Sequence, residues 1–434
     1  MIGVGTAGPV GIGSMTRADD APGGSRRDSG PSQAERDAWA VLAGVFGLGP
    51  VGFGILLQRY GSGVAILGEA SSPGGPERMV RAAATDGAGR GARDALAPTL
   101  AAAIADAAAR APATLDRIRE LGLAVITVED PAYPARLGAI EMPPHLLYVR
   151  GDPAALSVDA AVAIVGTRRA TDVGRSIAAR IAANLAEIGA SVISGLAVGI
   201  DGSAHAAAVH ANGATVAVIG SGHAVLHPRA HDRLADSIVQ AGGALVSELS
   251  PDTRPSHDTF PRRNRIISGL ADATVVVEAP ARSGALITAS WALEQGRDCF
   301  LVPGPIDAPA SAGCLAFLRE FPERTRIVAG IPQLIADLGL ADRLTEPHIP
   351  ADLAATLSGV GQVAGRLGRE IIRGRSTVDE LVAVTGWPVA TVLAALTMLE
   401  RNGLAVGVHG RYRPAGGLAA ADPAVKRQRP RDDS

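Results

Sequence analysis

The sequence predicts an α/β protein: an extended, Rossmann-like, doubly wound parallel sheet with an N-terminal helical module and a C-terminal winged helix. Short continuous apolar runs recur from residue 161 onward: AVAIVG (161–166), SVISG (191–195), TVAVIG (215–220), ALVSE (244–248), TVVVEA (274–279) and CFLVPG (299–304). Between them lie helical stretches, of which GRSIAARIAANLAEIG (174–189) is the clearest. Strands apolar on both faces, alternating with helices, belong to a parallel sheet covered on both sides. Connection handedness then gives the doubly wound arrangement.

The elements follow in order. Residues 1–33 read as a disordered tail: MIGVGTAGPVGIGS lacks the positive flank of a leader and is broken by glycines. Residues 34–121 form the helical module. It reads as helix, tight turn and helix over 34–69, a Gly-rich insertion at 72–94, and a second helical stretch from about 95. The sheet domain spans 122–340. It opens with the extended segment LAVITVED, then the proline-rich DPAYPARLGAIEMPPHLLYVRG (130–151), with a short strand at 145–150. A loose linker is expected over 341–375. Residues 376–415 carry a capping box (Thr377, Glu380), a GWP turn, a second helix ending at Gly403 and a two-stranded wing with a His-Gly turn. That order is a winged helix, and 416–434 is a second tail.

Composition narrows the function. At about 150 residues per domain, 434 residues accommodate roughly three domains. With 47% hydrophobic and 19% charged residues, a wholly disordered chain or a coiled coil is excluded. Of 41 Lys and Arg residues only Lys426 is lysine, and the net charge is −2, so nucleic-acid binding would need a local basic patch. Cys299 and Cys314 lack metal-ligand spacing, which excludes a disulfide scaffold and points to a reducing cytosol. No run of about 18 apolar residues is present, so no membrane insertion is expected.

GLGPVG (47–52) matches a dinucleotide fingerprint, but it follows a helix where the fingerprint follows a strand. It reads instead as the turn of a helix-hairpin-helix. With no basic residue nearby until Arg59, a packing role is favoured. The sheet mouths are richer. Ligands of open α/β sheets bind beyond the carboxyl ends of the strands, where helix N-termini offer amides to anions. In IVGTRRATDVGRS, Gly166, Thr167, Arg168 and Arg169 stand at the first mouth. In SGLAVGID, Ser194, Gly195 and Gly199 suit an anion-binding nest, with Asp201 as helix cap. In FPRRNRIISGLAD, Arg262, Arg263 and Arg265 cluster around Asn264 in a sheet loop. They are either a solvated face or a phosphate grip. Phe260 is either a stacking platform or a core residue. In VVVEAPARSGALITA, Ser283, Gly284 and Thr288 surround a helix start. Glu278 is either a carboxylate that orders the arginines, the preferred reading, or a general base. No catalytic set, metal motif or cofactor loop is visible. Four anion-friendly mouths on one edge suit a longer phosphate chain, and single-stranded nucleic acid fits best.

Together, GTRRATDVG, SGLAVGIDGSAH, FPRRNRIISGLADATVVVEA and SGALITASWALEQGRDCFLVPG resemble the DNA-processing protein A family (DprA, also called Smf), over about 35–415. The resemblance implies a cytoplasmic, non-catalytic protein that binds and protects incoming single-stranded DNA and helps load the RecA recombinase in natural transformation and homologous recombination. It also implies a homodimer. It places the phosphate pocket on Arg168, the FPRRNR arginines and the SGALIT turn. The chain departs from the family pattern at Thr167 and Val173, where serine and tyrosine are commoner, and at Leu315, where asparagine is expected. A nucleotide phosphoribohydrolase of related fold is the alternative; its Pro-Gly-Gly-x-Gly-Thr turn is replaced here by SGALIT (283–288). The second winged-helix helix carries no Arg, Asn or Gln before Arg401 and Asn402, so sequence-specific groove reading is not expected. A protein contact, or a backbone contact through Arg411 and Arg413, is expected instead.

Overall fold

The computed structural model describes residues 30–86, 96–256, 258–341, 357, 359–372, 375–408 and 410–419. Most of both expected tails, part of the 72–94 insertion and the wing residue His409 lie outside them. The described chain divides into two compact units, 1–341 and 342–434.

The first unit is organised by a nine-stranded sheet. The strands are β1 (Ala124–Thr127), β2 (Leu146–Gly151), β3 (Ala161–Val165), β4 (Ser191–Ser194), β5 (Thr215–Val218), β6 (Ala244–Ser247), β7 (Ala273–Val276), β8 (Asp298–Leu301) and β9 (Thr325–Ile327). Their order is β1-β2-β6-β5-β4-β3-β7-β8-β9. From β6 to β9 all pairs are parallel, and β1 and β2 extend the sheet antiparallel. The chain winds outward from β3 to β6, then returns to place β7 on the other side of β3. A crevice opens beyond the strand ends at such a reversal.

The apolar runs behave as their composition dictates. β3, β4, β5, β6 and β7 are buried at every position. Alternate residues feed cores on opposite faces: Ala161, Ala163 and Val165 enter one, Val162 and Ile164 the other. The covering helices include α7 (Ala135–Gly138), α8 (Asp172–Glu187), α9 (Ile200–His210), α10 (Asp232–Gln240), α11 (Thr259–Gly269), α12 (Gly284–Glu294), α13 (Ala312–Glu320) and α14 (Ile331–Asp337).

Ahead of the sheet stand α1 (Gln33–Ala43), α2 (Pro50–Tyr60), α3 (Gly63–Ser71), α4 (Gly75–Asp86), α5 (Pro98–Ala109) and α6 (Ala111–Glu120). α4 is a helix within the segment expected as a Gly-rich insertion; its GPERMVRAA places Met79 in the core at 1% exposure. β2 joins this helical core to the sheet by the two-residue period of a strand. Leu147 and Val149 pack in the sheet core, whereas Leu146 and Tyr148 pack among the helices. The Tyr148 hydroxyl donates to the Ala40 carbonyl at 2.8 Å.

The second unit contains α15 (Gln362–Ile372), α16 (Val378–Thr385), α17 (Val389–Arg401) and the antiparallel pair β10 (Ala405–Val408) and β11 (Arg411–Pro414). The capping box forms: Glu380 accepts from the Ser376 and Thr377 amides at 2.7 and 3.1 Å, and Thr377 Oγ1 accepts from the Glu380 amide. Of the linker expected over 341–375, residues 342–356, 358, 373 and 374 lie outside the described residues, while 362–372 is the helix α15. The glycines of GRLGREII are places of close packing: a Cβ at Gly365 would lie 2.3 Å from the Leu357 carbonyl oxygen, and one at Gly368 would lie 2.6 Å from the Leu357 side chain. No single described helix is long and apolar enough to cross a membrane.

Candidate nucleic-acid interface

A cleft of about 740 Å³ lies at the strand reversal. Gly166, Thr167, Arg168 and Arg169 from the turn after β3 line it, with Ala197 and Asp201 after β4. So do Phe260, Pro261, Arg263 and Asn264 from α11, and Pro280, Arg282, Ser283, Gly284 and Thr288 before and within α12. Among the described residues, four arginines and one carboxyl-bearing residue thus line it.

The first mouth is tied to the β7 mouth by the Thr167 amide, which donates to the Glu278 carbonyl at 2.7 Å. Thr167 Oγ1 accepts from the Arg169 amide at 3.2 Å, so this hydroxyl shapes the turn. Arg168 and Arg169 are exposed. The Arg168 guanidinium lies over the Phe260 ring, 4.9 Å from its centroid, a cation–π contact that fixes a flexible cation at the rim. Phe260 is half-buried, and a Cβ at Gly220 would collide with its ring. It therefore serves as a wall of the cleft and a seat for Arg168.

Gly199 has φ +86°, and a Cβ there would lie 2.4 Å from the Thr167 carbonyl oxygen, so glycine alone lets these two turns meet. Asp201 corrects its expected role, because Gly199 occupies the cap position of α9. The Asp201 carboxylate reaches back to accept from the Gly195 amide at 3.1 Å and is buried. Burial pushes its pKa up, opposed by nearby Arg263 and by backbone amides. Ser194 is likewise structural: its hydroxyl donates to the Ile164 carbonyl at 2.6 Å, between adjacent strands, and it does not line the cleft.

The arginine cluster is where the fold departs most from expectation. FPRRNR lies inside α11 and not in a loop. Successive helical residues turn by about 100°, so three neighbouring arginines cannot face one ligand. Arg263, 5% exposed, donates to the carbonyls of Gly195, at 2.7 Å, and Val218. Burial lowers its pKa to about 10, opposed by Asp201, so it stays charged at neutral pH. Arg265, 4% exposed, is ion-paired with Glu248 and lies outside the cleft. Arg262 is exposed and lines a different cavity. Asn264 Nδ2 donates to the Gly284 carbonyl at 3.1 Å, holding the SGALIT turn.

At α12, Ser283 caps the helix by accepting from the Ala285 amide at 3.3 Å, and Thr288 is buried against the cleft. Among the described residues Glu278 makes no ion pair with an arginine. It accepts from the Thr171 amide at 2.9 Å and from the Thr171 hydroxyl, bracing the start of α8, and does not line the cleft.

Sequence reasoning passed over Arg282, which stands exposed at the cleft one residue before the Ser283 cap. It also passed over a neighbouring cleft of about 890 Å³, walled by Arg150, Arg229, Arg254 and the shared Pro255. Arg150 is paired with Asp236; Arg229 and Arg254 make no ion pair among the described residues. Position beside a cap or a proline in these loops was the only local signal.

In the second unit, α17 exposes Val389, Leu393 and Met398 and buries Val392, Leu396 and Leu399. Its exposed face carries no Arg, Asn or Gln before Arg401.

Comparison with known proteins places these features. The family model for DNA recombination-mediator protein A matches residues 124–323, and that for the DprA winged helix domain matches 350–411. Protein Smf of Escherichia coli is 37% identical over 293 residues, covering 66% of this chain and 76% of that protein. DNA processing protein DprA of Bacillus subtilis is 40% identical over 209 residues, covering 48% and 70% respectively. The X-ray structure of DNA processing protein A from Streptococcus pneumoniae aligns over 63% of this chain and 96% of its own, at 31% identity and a TM-score of 0.49. With a crevice built from the turns that carry the family's motifs, and with identity sustained over most of a curated relative, the chain belongs to the DprA/Smf family of DNA-processing proteins.

Proposed function

We propose that this chain is a single-stranded DNA-binding recombination mediator that grips a polyanion without cutting it. One observation carries the reading. Arg168, Arg169, Arg263 and Arg282, from three separate segments, line one cleft in which the only carboxyl among the described residues, Asp201, is buried and accepts from the Gly195 amide. A cleft in which cations predominate concentrates field on an anion. The start of α12, where Ser283 and Gly284 line the cleft, adds a helix N-terminus suited to phosphate oxygens. The adjoining cleft, lined by Arg150, Arg229 and Arg254 together with Asp232 and Asp236, is of mixed charge, and its Arg229 and Arg254 lie where a strand longer than a mononucleotide could reach.

Within the reading, Arg168, Arg169, Arg282, Gly166, Gly284 and Thr288 contact the strand, while Arg263, Asn264, Gly195 and Gly199 hold the turns in place. Protection of incoming DNA, delivery to the RecA recombinase, action in the cytosol and homodimer formation complete the proposal, on the strength of family membership. Hydrolysis of nucleotides gains no support, because Glu278, the carboxylate it requires, is engaged by Thr171 away from the cleft.

Equal-length labelled single and double strands test the proposal. Tighter binding of the single strand, without sequence preference and without strand cleavage, is the expected result. Equal or weaker binding of the single strand would refute it.

A further inference from the structure

We infer that the cavity beside the α1–α2 hairpin is a second contact for the single strand, where Phe46 stacks on a base and Arg262 meets a phosphate. The inference rests on the single-strand reading of the main cleft. In sequence the GLGPVG turn has no cation before Arg59, which argued for a packing role alone. Folding supplies one, Arg262, from more than 200 residues away. Arg262 and Arg263 leave α11 in different directions, so Arg263 lines the main cleft while Arg262 lines a separate cavity of about 500 Å³. The other walls of that cavity include Phe46, Gly47, Gly49, Phe53 and Ser250.

Phe46 is 97% exposed. In a chain with only six phenylalanines, a ring so placed contributes nothing to the core and offers both faces to a flat partner. Glu248 is the one carboxylate among the described residues of the cavity wall, and its charge is met by buried Arg265, which leaves the field at the mouth to Arg262. A duplex hides its base faces, whereas a single strand presents both a phosphate and a stackable ring at every step. The first turn of α11 separates the two cavities, with Pro261 and Arg263 on one flank and Arg262 on the other, so one strand can cross it and occupy both.

The test measures anisotropy of labelled single strands of about six and about twenty nucleotides, one near the lower end and one beyond the upper end of the site sizes of single-strand grooves. The full chain is compared with its Phe46→Ala and Arg262→Ala variants. The six-mer should bind all three alike. The twenty-mer should bind Phe46→Ala about tenfold more weakly, and Arg262→Ala should show a salt slope shallower by about 0.7. Unchanged twenty-mer affinity and salt slope in both variants, with the six-mer still bound, overturn the second contact while sparing the main cleft; that is also the outcome if Phe46 serves a protein partner. Failure of the parent chain to bind either oligomer overturns both readings.

Discussion

Replacing Arg263 by leucine separates a structural cation from a phosphate ligand. The side chain is 5% exposed and donates to the carbonyls of Gly195 and Val218, with Asp201 close by. Truncation leaves two carbonyls and a buried carboxylate uncompensated, a loss of roughly 3–5 kcal/mol, or about 10 °C in melting temperature. The loss has a pH signature. Burial already raises the Asp201 pKa and Arg263 opposes the rise, so removing the cation lifts it further. A carboxyl with a raised folded-state pKa contributes stability that is fully present below its unfolded value and is lost as pH rises through the folded one. The deficit of Arg263→Leu should therefore be smaller near pH 5 than near pH 8. Adding Asp201→Asn should recover part of the stability at pH 8 and flatten the pH dependence. Thermal unfolding by circular dichroism at the two pH values reads this out. An Arg263→Leu chain that melts within about 2 °C of the parent at pH 8 but no longer binds single strands would refute the reasoning and make Arg263 a direct ligand.

Four further outcomes follow from the same geometry. Arg265→Leu, which strands Glu248, should lower stability by roughly 3–5 kcal/mol yet leave single-strand affinity unchanged once folded; an affinity loss at unchanged melting temperature would contradict its placement outside the cleft. Glu278→Ala should destabilise the start of α8 by roughly 1 kcal/mol, and neither it nor the parent should release free base from nucleoside monophosphates, which chromatography would detect. Gly199→Ala should cost more than about 1 kcal/mol, because its backbone is left-handed and its Cβ meets the Thr167 carbonyl; a melting curve matching the parent's would count against that contact. In the winged helix, the Ser376 amide, followed by those of other capping groups, holds the Glu380 pKa down. Its contribution is present above the unfolded carboxylate range and is lost as pH falls through the folded value, so acid should destabilise the parent unit more steeply than Glu380→Gln.

The sheet was legible because its signal is local and repeated. AVAIV, SVIS and TVAV are apolar at positions facing both layers, and each is followed by a helix, which leaves few alternatives. Three of the expected mouths, after β3, after β4 and before α12, stand where strand ends and helix starts converge at the reversal of the winding, whereas the FPRRNR segment is helix. The directions of side chains were not legible. Whether Arg262, Arg263 and Arg265 act together depends on FPRRNR being helix or loop, and Phe260 and Pro261 beside the charges obscured the helical period. Asp201 as cap and Glu278 as partner of the arginines failed differently: each bonds a backbone or hydroxyl donor that folding brings near, Gly195 in one case and Thr171 in the other. Glycine misled twice. In GRLGREII it marks close helix packing against Leu357, and in the 72–94 segment it did not prevent α4.

The most direct test of the account is the salt dependence of single-strand binding by the parent and by an Arg168→Ala, Arg282→Ala double variant. Both side chains are exposed at the cleft, and neither supports the core. Losing two phosphate contacts should make the slope of log affinity against log salt shallower by about 1.4, uniformly across sequences. A double variant that folds normally and keeps the parent's affinity and slope at every salt concentration contradicts the claim that this cleft holds the strand.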